Sequence, residues 1–92
     1  QTVTIIAGNS DNKLSQKDWA NLVSHLARVI AVRASAHEFT GGPDTASPFQ
    51  NFAWVVRIDD DEAEQLRGEI KAIRSHYRQN SVAWISGNTE FI

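Results

Sequence analysis

The feature that most constrains this chain is the alternation of short β-branched segments with two longer segments of helical periodicity. Apolar side chains recur every three or four residues over residues 16–32 and again over residues 61–78. These apolar positions are Trp19, Leu22, Val23, Leu26, Ala27 and Ile30 in the first segment and Ala63, Leu66, Ile70, Ile73 and Tyr77 in the second. Because about 3.6 residues complete a helical turn, the spacing predicts two amphipathic helices, each with one buried stripe.

Four further segments predict β-strands, because they are rich in β-branched and aromatic residues or lie between turn formers. They are residues 2–7, 34–40, 52–58 and 81–85, with Glu90–Phe91–Ile92 as an extension of the last strand. The order β-α-β-β-α-β in a single α+β domain, residues 1–92, predicts a ferredoxin-like fold. In that fold a four-stranded antiparallel sheet carries both helices on one face.

The predicted helix starts and the longest loop have their own local signals. Ser15 stands three residues before Asp18, which is the spacing of a capping box at the start of the first helix. Asp59, Asp60 and Asp61 supply a cap and negative charge at the start of the second. Residues 41–48 contain both prolines of the chain and predict an irregular loop.

Composition excludes several classes of function. The 9 Lys and Arg against 11 Asp and Glu give a net charge of −2, which argues against binding nucleic acid by charge alone. No apolar run reaches the roughly 18 residues of a membrane span, and no signal-like segment is present, so we expect a cytoplasmic location and no membrane partner. The absence of cysteine excludes disulfides, thiolate zinc sites and a cysteine nucleophile.

Metal, cofactor and catalytic signals are weak. His25, His37 and His76 show no paired metal-ligand spacing, and His37 and Glu38 would point to opposite faces of a strand. No serine lies in a nucleophile-elbow motif. We therefore predict no metal site, no cofactor and no catalytic residue.

The strand at 52–58 separates two sets of side chains. Phe52, Trp54, Val56 and Ile58 point one way, and Ala53, Val55 and Arg57 point the other. Two helices cover only one sheet face, so the other face would leave apolar side chains in water. Such a patch indicates a homodimer contact or a partner site. The alternative is that the loop at 41–51 folds over this face.

A basic stripe lies on the second predicted helix. Arg67, Lys71, Arg74 and Arg78 follow one another at intervals of three and four residues, beside the apolar stripe. Such a stripe could bind phosphates or an acidic protein surface. Cations near a helix C-terminus also suit the helix dipole, and Glu64 partly neutralises the stripe, so a purely structural interpretation stays open.

Three segments carry a resemblance to other proteins: Ala7–Leu14, Pro48–Trp54 and Tyr77–Trp84. They look like segments of small uncharacterised proteins encoded by bacteriophages of actinobacteria. That resemblance implies no assigned activity and transfers no catalytic residue. It implies a protein that acts by binding, since small phage proteins of this type often block or redirect a host or defence protein.

The sequence thus predicts a non-catalytic, self-associating protein-binding module, such as a phage inhibitor or adaptor that masks a host or defence protein. Phe49, Phe52 and Trp54 would fill a partner pocket, and the basic stripe would steer association. One alternative is a small dimeric enzyme or ligand-binding protein with a cavity lined by His37, Trp54 and Trp84. A less favoured alternative is nucleic-acid binding through the basic stripe.

Overall fold

The computed structural model describes residues 1–9, 13–43, 50–87 and 90–92. The elements in chain order are β1 (Thr2–Gly8), α1 (Gln16–Arg33), β2 (Ala36–Gly41), β3 (Asn51–Arg57), α2 (Asp60–His76) and β4 (Ala83–Gly87). This order confirms the predicted ferredoxin-like α+β fold.

The four strands form one antiparallel sheet in the order β2-β3-β1-β4. The central strand β1 pairs with β3 on one side and with β4 on the other, so that Ile5 faces both Trp54 and Trp84. The strands β2 and β4 are therefore the two edges of the sheet. The pairing of β2 with β3 shifts register between His37 and Phe39, which is the mark of a β-bulge.

The core lies between the helices and one face of the sheet. Val3, Ile5 and Ala7 alternate with less buried residues along β1, and Trp54 and Val56 do the same along β3. These side chains form one cluster with the apolar stripes of both helices, namely Leu22, Leu26, Ile30, Ala63, Leu66, Ile70 and Ile73. Each fully buried large apolar side chain stabilises the fold by roughly 1.5–3 kcal/mol, so this single layer accounts for the position of both helices.

Capping hydrogen bonds mark the start of α1 and the end of α2. At the start of α2, Asp59 is the N-cap residue but its side chain makes no capping hydrogen bond, so that part of the prediction is wrong. The Ser15 hydroxyl accepts a hydrogen bond from the Asp18 amide at 3.1 Å, which confirms the predicted cap of α1. At the end of α2, Arg78 adopts a left-handed backbone with φ 57°. The Arg78 amide donates to the Ser75 carbonyl at 3.1 Å and the Gln79 amide to the Arg74 carbonyl at 3.0 Å. This Schellman-type turn ends α2 at His76, two residues before the predicted boundary.

The predicted strand extension over Glu90–Phe91–Ile92 is wrong, because residues 90–92 lie in no strand. The last residue of β4, Gly87, already pairs with Thr2, the first residue of β1. A longer β4 would therefore run past the strand with which it pairs. Among the residues that the structure describes, neither helix combines the length and the apolar character needed to cross a membrane.

A buried polar network ties the ends of β1 and β3 to the start of α1. Asn9, 1% exposed, donates from Nδ2 to Gln50 Oε1 at 2.9 Å and to the Leu14 carbonyl at 3.1 Å. Its Oδ1 accepts from the Leu14 amide at 3.0 Å, and Gln50 Nε2 donates to Gln16 Oε1 at 2.6 Å. Each member of this network thus has a partner, as buried polar groups require.

An ion-pair cluster joins the two helices. Arg33 Nε lies 2.6 Å from Glu69 Oε1, and Arg33 Nη1 lies 3.0 Å from Glu62 Oε2. The hydrogen bonds that Arg33 donates to Glu69, and to a lesser extent to Glu62, raise the pKa of Arg33 above its ordinary value. The guanidinium therefore holds the end of α1 against α2 as a cation throughout the usual pH range.

Candidate protein-binding surfaces

The face of the sheet opposite the helices, here called the open face, carries a continuous row of side chains. Phe39 of β2 pairs with Val55 of β3, Val55 with Thr4 of β1, and Thr4 with Ile85 of β4. Phe39 is 56% exposed and Ile85 is 54% exposed. Large apolar side chains therefore reach solvent at both ends of one row.

The neighbouring row of the open face is built from small or aliphatic residues. In strand order its members are Gly41, Ala53, Ile6 and Ala83. On the other side of the row from Phe39 to Ile85, Arg57 Nε forms an ion pair with Glu38 Oε1 at 2.7 Å. The open face is thus mostly apolar, with an ion pair near one end. Strand alternation predicted the two sets of side chains along β3 but not which set the helices cover, and Ala53, Val55 and Arg57 are the set on the open face.

Two of the predicted partner anchors, Phe52 and Trp54, do not lie on this face. Trp54 is 1% exposed and packs beneath the helices, so its assignment as a partner anchor is wrong. Phe52 is half-buried on the same side and lines a cleft of about 390 Å³ with Trp19, Val23 and Pro43. The period of two along β3 puts Phe52 and Trp54 on the helix side together.

The remaining anchor, Phe49, lies outside the described residues, as do residues 44–49 of the predicted loop. Pro43, at the start of that loop, is on the helix side of the sheet. Phe39 and Ile85 remain more than half exposed. The alternative in which the loop at 41–51 folds over the open face depends on residues 44–49 and so lies outside the described residues.

Three members of the basic stripe meet in one groove between α2 and β4, here called the edge groove. Arg67, Lys71 and Arg74 line it with Trp84 and Val82, around a volume of about 530 Å³. The Arg67 guanidinium carbon lies 5.4 Å from the centre of the Trp84 ring, within the range of a cation–π contact. Among the described residues of the lining, Glu64 is the one carboxylate. The edge groove is therefore cationic, with an aromatic wall.

Arg74 combines this position with a structural contact. Its Nη1 donates to the Gln79 carbonyl at 3.1 Å and to the Asn80 carbonyl at 3.3 Å. It thus holds the segment that leads from α2 into β4 and fixes one end of the groove. Arg67 and Lys71 are exposed and supply the accessible charge.

Arg78, the fourth predicted member of the stripe, lies elsewhere. It lines a separate cleft together with Lys13, Asp18 and Tyr77. Its left-handed backbone comes after the end of α2, so the helical period that placed it beside Arg74 no longer applies. The basic stripe therefore has three members in the edge groove.

The cavity expected for a small enzyme does not bring its three residues together. His37 is on β2 and Trp84 on β4, at opposite edges of the sheet, about three strand spacings of ~4.8 Å apart. Trp54 is buried between them in the core. Within the described part of the chain, no group of three or more His, Asp or Glu side chains is placed to hold a metal ion.

Two exposed residues of the open face, Phe39 and Ile85, were missed by the sequence interpretation. The alternation of Val82 and Trp84 with Ala83 and Ile85 carries a usable signal for Ile85, because Trp84 packs toward the core. Phe39 had no such signal, since the bulge after His37 interrupts the period of two in β2.

No protein-family model matches this chain, and no curated protein matches it in sequence. Its class is defined by the structure: a ferredoxin-like α+β domain with an apolar open face and a cationic edge groove. The open face and the edge groove are the two surfaces through which this domain could contact other proteins.

Proposed function

We propose that this protein acts by binding other proteins and that it associates with a second copy of itself through the open face. The observation that carries the proposal is the row from Phe39 to Ile85, in which both ends are more than half exposed. Continuous apolar patches on a sheet face usually mark contact surfaces, because water would otherwise cover them at a cost in free energy.

A second copy fits this face in shape and in charge. Three of the four residues in the neighbouring row are glycine or alanine, so two sheets could approach along that row to the ~10 Å spacing of packed β-sheets. The Cα extents of 35 × 31 × 19 Å make the molecule a slab whose broad side could supply the roughly 800 Å² per partner of a standard interface. The pairing of Arg57 with Glu38 removes a net charge that would repel a symmetry-related copy.

The mechanism that follows is surface masking rather than catalysis. In a dimer formed through the open face, the edge grooves stay on the outer, helix-bearing sides of the two sheets. Each groove could then contact a partner protein and cover part of its surface. The resemblance to phage proteins supports a host or defence protein in that role, with this chain as inhibitor or adaptor.

The first experiment is sedimentation velocity on the wild-type protein and on the double variant Phe39→Ser, Ile85→Ser, from about 5 to about 500 μM. We expect the wild type to shift from monomer to dimer over this range and the double variant to stay monomeric. Val32→Ser is the matched control, because Val32 is 74% exposed on α1, away from the open face.

Two results would contradict the proposal. One is a wild-type protein that remains monomeric at every concentration. The other is a dimer that Val32→Ser weakens as much as the open-face substitutions do. Circular dichroism of each variant establishes that the fold is retained before the masses are compared.

A further inference from the structure

We propose that the free edge of β4 and the edge groove together bind an extended acidic segment of a partner protein, which adds a fifth strand to the sheet. This inference rests on the proposed protein-binding function but uses a different surface. The open face serves self-association, and the edge groove lies on the helix side of β4. The two proposals can therefore fail separately.

The first feature that supports this inference is the backbone of β4. This strand is an edge of the sheet, and its pairing with β1 runs from Ala83 to Gly87 without a shift. Its residues, Ala-Trp-Ile-Ser-Gly, include no charge and no proline. Edge strands that avoid further pairing usually carry such residues or a bulge. The outer amides and carbonyls of β4 are thus suited to pair with another strand.

The other edge of the sheet, β2, carries features that protect it from strand addition. On β2 the register shifts between His37 and Phe39, and the intervening Glu38 is charged and paired with Arg57. Both features hinder strand addition. The contrast between the two edges identifies β4 as the receptive one.

The second feature is the set of charged and aromatic side chains that lie beside the edge of β4. Side chains of an added strand would alternate between the helix side and the open side. On the helix side they would meet Arg67, Lys71 and the ring of Trp84. Among the described residues that line the groove, three are cationic and Glu64 alone is acidic, so the lining carries an excess of positive charge. Carboxylates of the incoming strand would match it.

The alternate side chains of the same strand would meet a different surface. They would lie beside Ile85, at the end of the apolar row of the open face. An apolar side chain there extends the row by one strand. The segment that fits β4 therefore alternates acidic and apolar residues.

Gly68 is a position at which the groove can be filled without a change of charge. It lines the edge groove in the middle of α2, and a Cβ atom built on it would meet nothing within 4 Å. Glycine at a helix interior position is roughly 1 kcal/mol less favourable than alanine. A larger side chain here would therefore enter open space in the groove and favour the helix.

A peptide fits this site better than a nucleic acid does. An edge strand offers alternating N–H donors and C=O acceptors, and a peptide backbone satisfies both. A phosphodiester backbone offers acceptors, so it would leave the β4 carbonyls unmatched. The net charge of −2 on the whole chain also weakens long-range attraction of a polyanion.

The test is fluorescence anisotropy with a labelled peptide of alternating glutamate and valine. The comparison probes are an alternating lysine–valine peptide, a glutamate–valine peptide with alternate backbone nitrogens methylated, and a single-stranded oligothymidine. We expect the acidic peptide to bind and all three comparison probes to bind at least about tenfold more weakly. N-methylation removes the backbone donors that strand addition requires.

Protein variants locate the site. We expect Lys71→Glu to weaken binding of the acidic peptide about tenfold, and Arg28→Glu, the same charge change on α1, to have little effect. Gly68→Leu changes no charge and favours the helix, so the fold should be retained while the groove is filled. We expect it to weaken binding by a similar factor. Backbone amides of β4 should gain protection from hydrogen exchange when the peptide binds.

Each of the remaining outcomes overturns the inference. Equal binding of the lysine–valine peptide would remove the charge argument, and equal binding of the methylated peptide would remove strand addition. Tighter binding of the oligothymidine would reassign the groove to nucleic acid. Phe39→Ser separates the two proposals, because it lies at the opposite edge and should disrupt the dimer without changing peptide affinity.

Discussion

Phe39 and Ile85 stand on opposite edge strands of the sheet, yet they end the same row of the open face. A face-to-face contact would use the whole row, so both residues should contribute to it. Each is more than half exposed in the single chain, and burying that area in a dimer is worth about 1–2 kcal/mol.

From this relationship we expect the single variants Phe39→Ser and Ile85→Ser each to raise the dimer dissociation constant about tenfold or more. Sedimentation equilibrium over a concentration series measures the constant directly. A large effect of one substitution and none of the other would indicate that the contact covers one edge rather than the full face.

Trp54 should behave as a core residue and not as a binding residue. It is 1% exposed and pairs in register with Ile5 beneath the helices. We expect Trp54→Ala to lower the free energy of unfolding by about 3–5 kcal/mol, through lost burial and the cavity left behind. Urea unfolding followed by circular dichroism measures this change. Trp84→Ala, at a half-buried edge position, should cost less. A stable Trp54→Ala variant with weakened self-association would contradict the assignment.

The hydrogen bond between Asn9 and Gln50 should make a measurable contribution to stability. Asn9→Ala leaves the Leu14 amide without its acceptor in a buried site and removes one of the two donors to Gln50 Oε1, the other being Gln16 Nε2. We expect a loss of about 2–3 kcal/mol in the free energy of unfolding. Asn21→Ala, at an exposed position of α1, is the control and should change stability by less than about 0.5 kcal/mol. Equal effects of Asn9→Ala and Asn21→Ala in denaturant unfolding would show that the network does not stabilise the segments around Asn9 and Gln50.

Arg33 should act as a tie between the helices. Arg33→Met removes the pairs with Glu69 and Glu62 while keeping most of the aliphatic stem. Because these side chains are about one-third exposed and screened by solvent, we expect a small loss in the free energy of unfolding, reduced further at high salt. Denaturant titrations at low and high salt provide the measurement. Arg28→Met on the same helix should show neither the loss nor the salt dependence.

Arg78 should be a site where glycine is better than the natural residue. Its φ of 57° costs a side chain about 1 kcal/mol that glycine does not bear. We expect Arg78→Gly to raise the free energy of unfolding by about 0.5–1 kcal/mol, despite the greater freedom of the unfolded chain. Arg28→Gly, inside α1, should lower it by about 1 kcal/mol. If this is correct, thermal and urea unfolding will show a gain in stability for Arg78→Gly and a loss for Arg28→Gly.

Most of the fold was predictable because helical periodicity and strand composition are local signals. The apolar stripes placed α1 within one residue of its observed end, and the cap at Ser15 marked its start. Element order then limited the topology. The end of α2 was harder to predict, because a Schellman-type turn with arginine in the left-handed position has no glycine to signal it.

The candidate surfaces were predictable only in part. Alternation along β3 separated Trp54 from Val55, but both sets are apolar, so hydrophobicity could not tell which set the helices cover. That depends on contacts with α1 and α2, far away in sequence. The Asn9–Gln50 pair shows the same limit, since 41 positions separate its members and no local pattern connects them.

The register shift between His37 and Phe39 also bears on how far assembly can proceed. Head-to-tail growth through sheet edges needs a donor edge and an acceptor edge on every copy, because each added molecule must present the next one with a place to pair. In this protein the edge formed by β2 carries a bulge and a charged residue, so it is not available as the second pairing edge. A strand that pairs with β4 therefore terminates the series, and the chain can recruit a neighbour without propagating into a fibril.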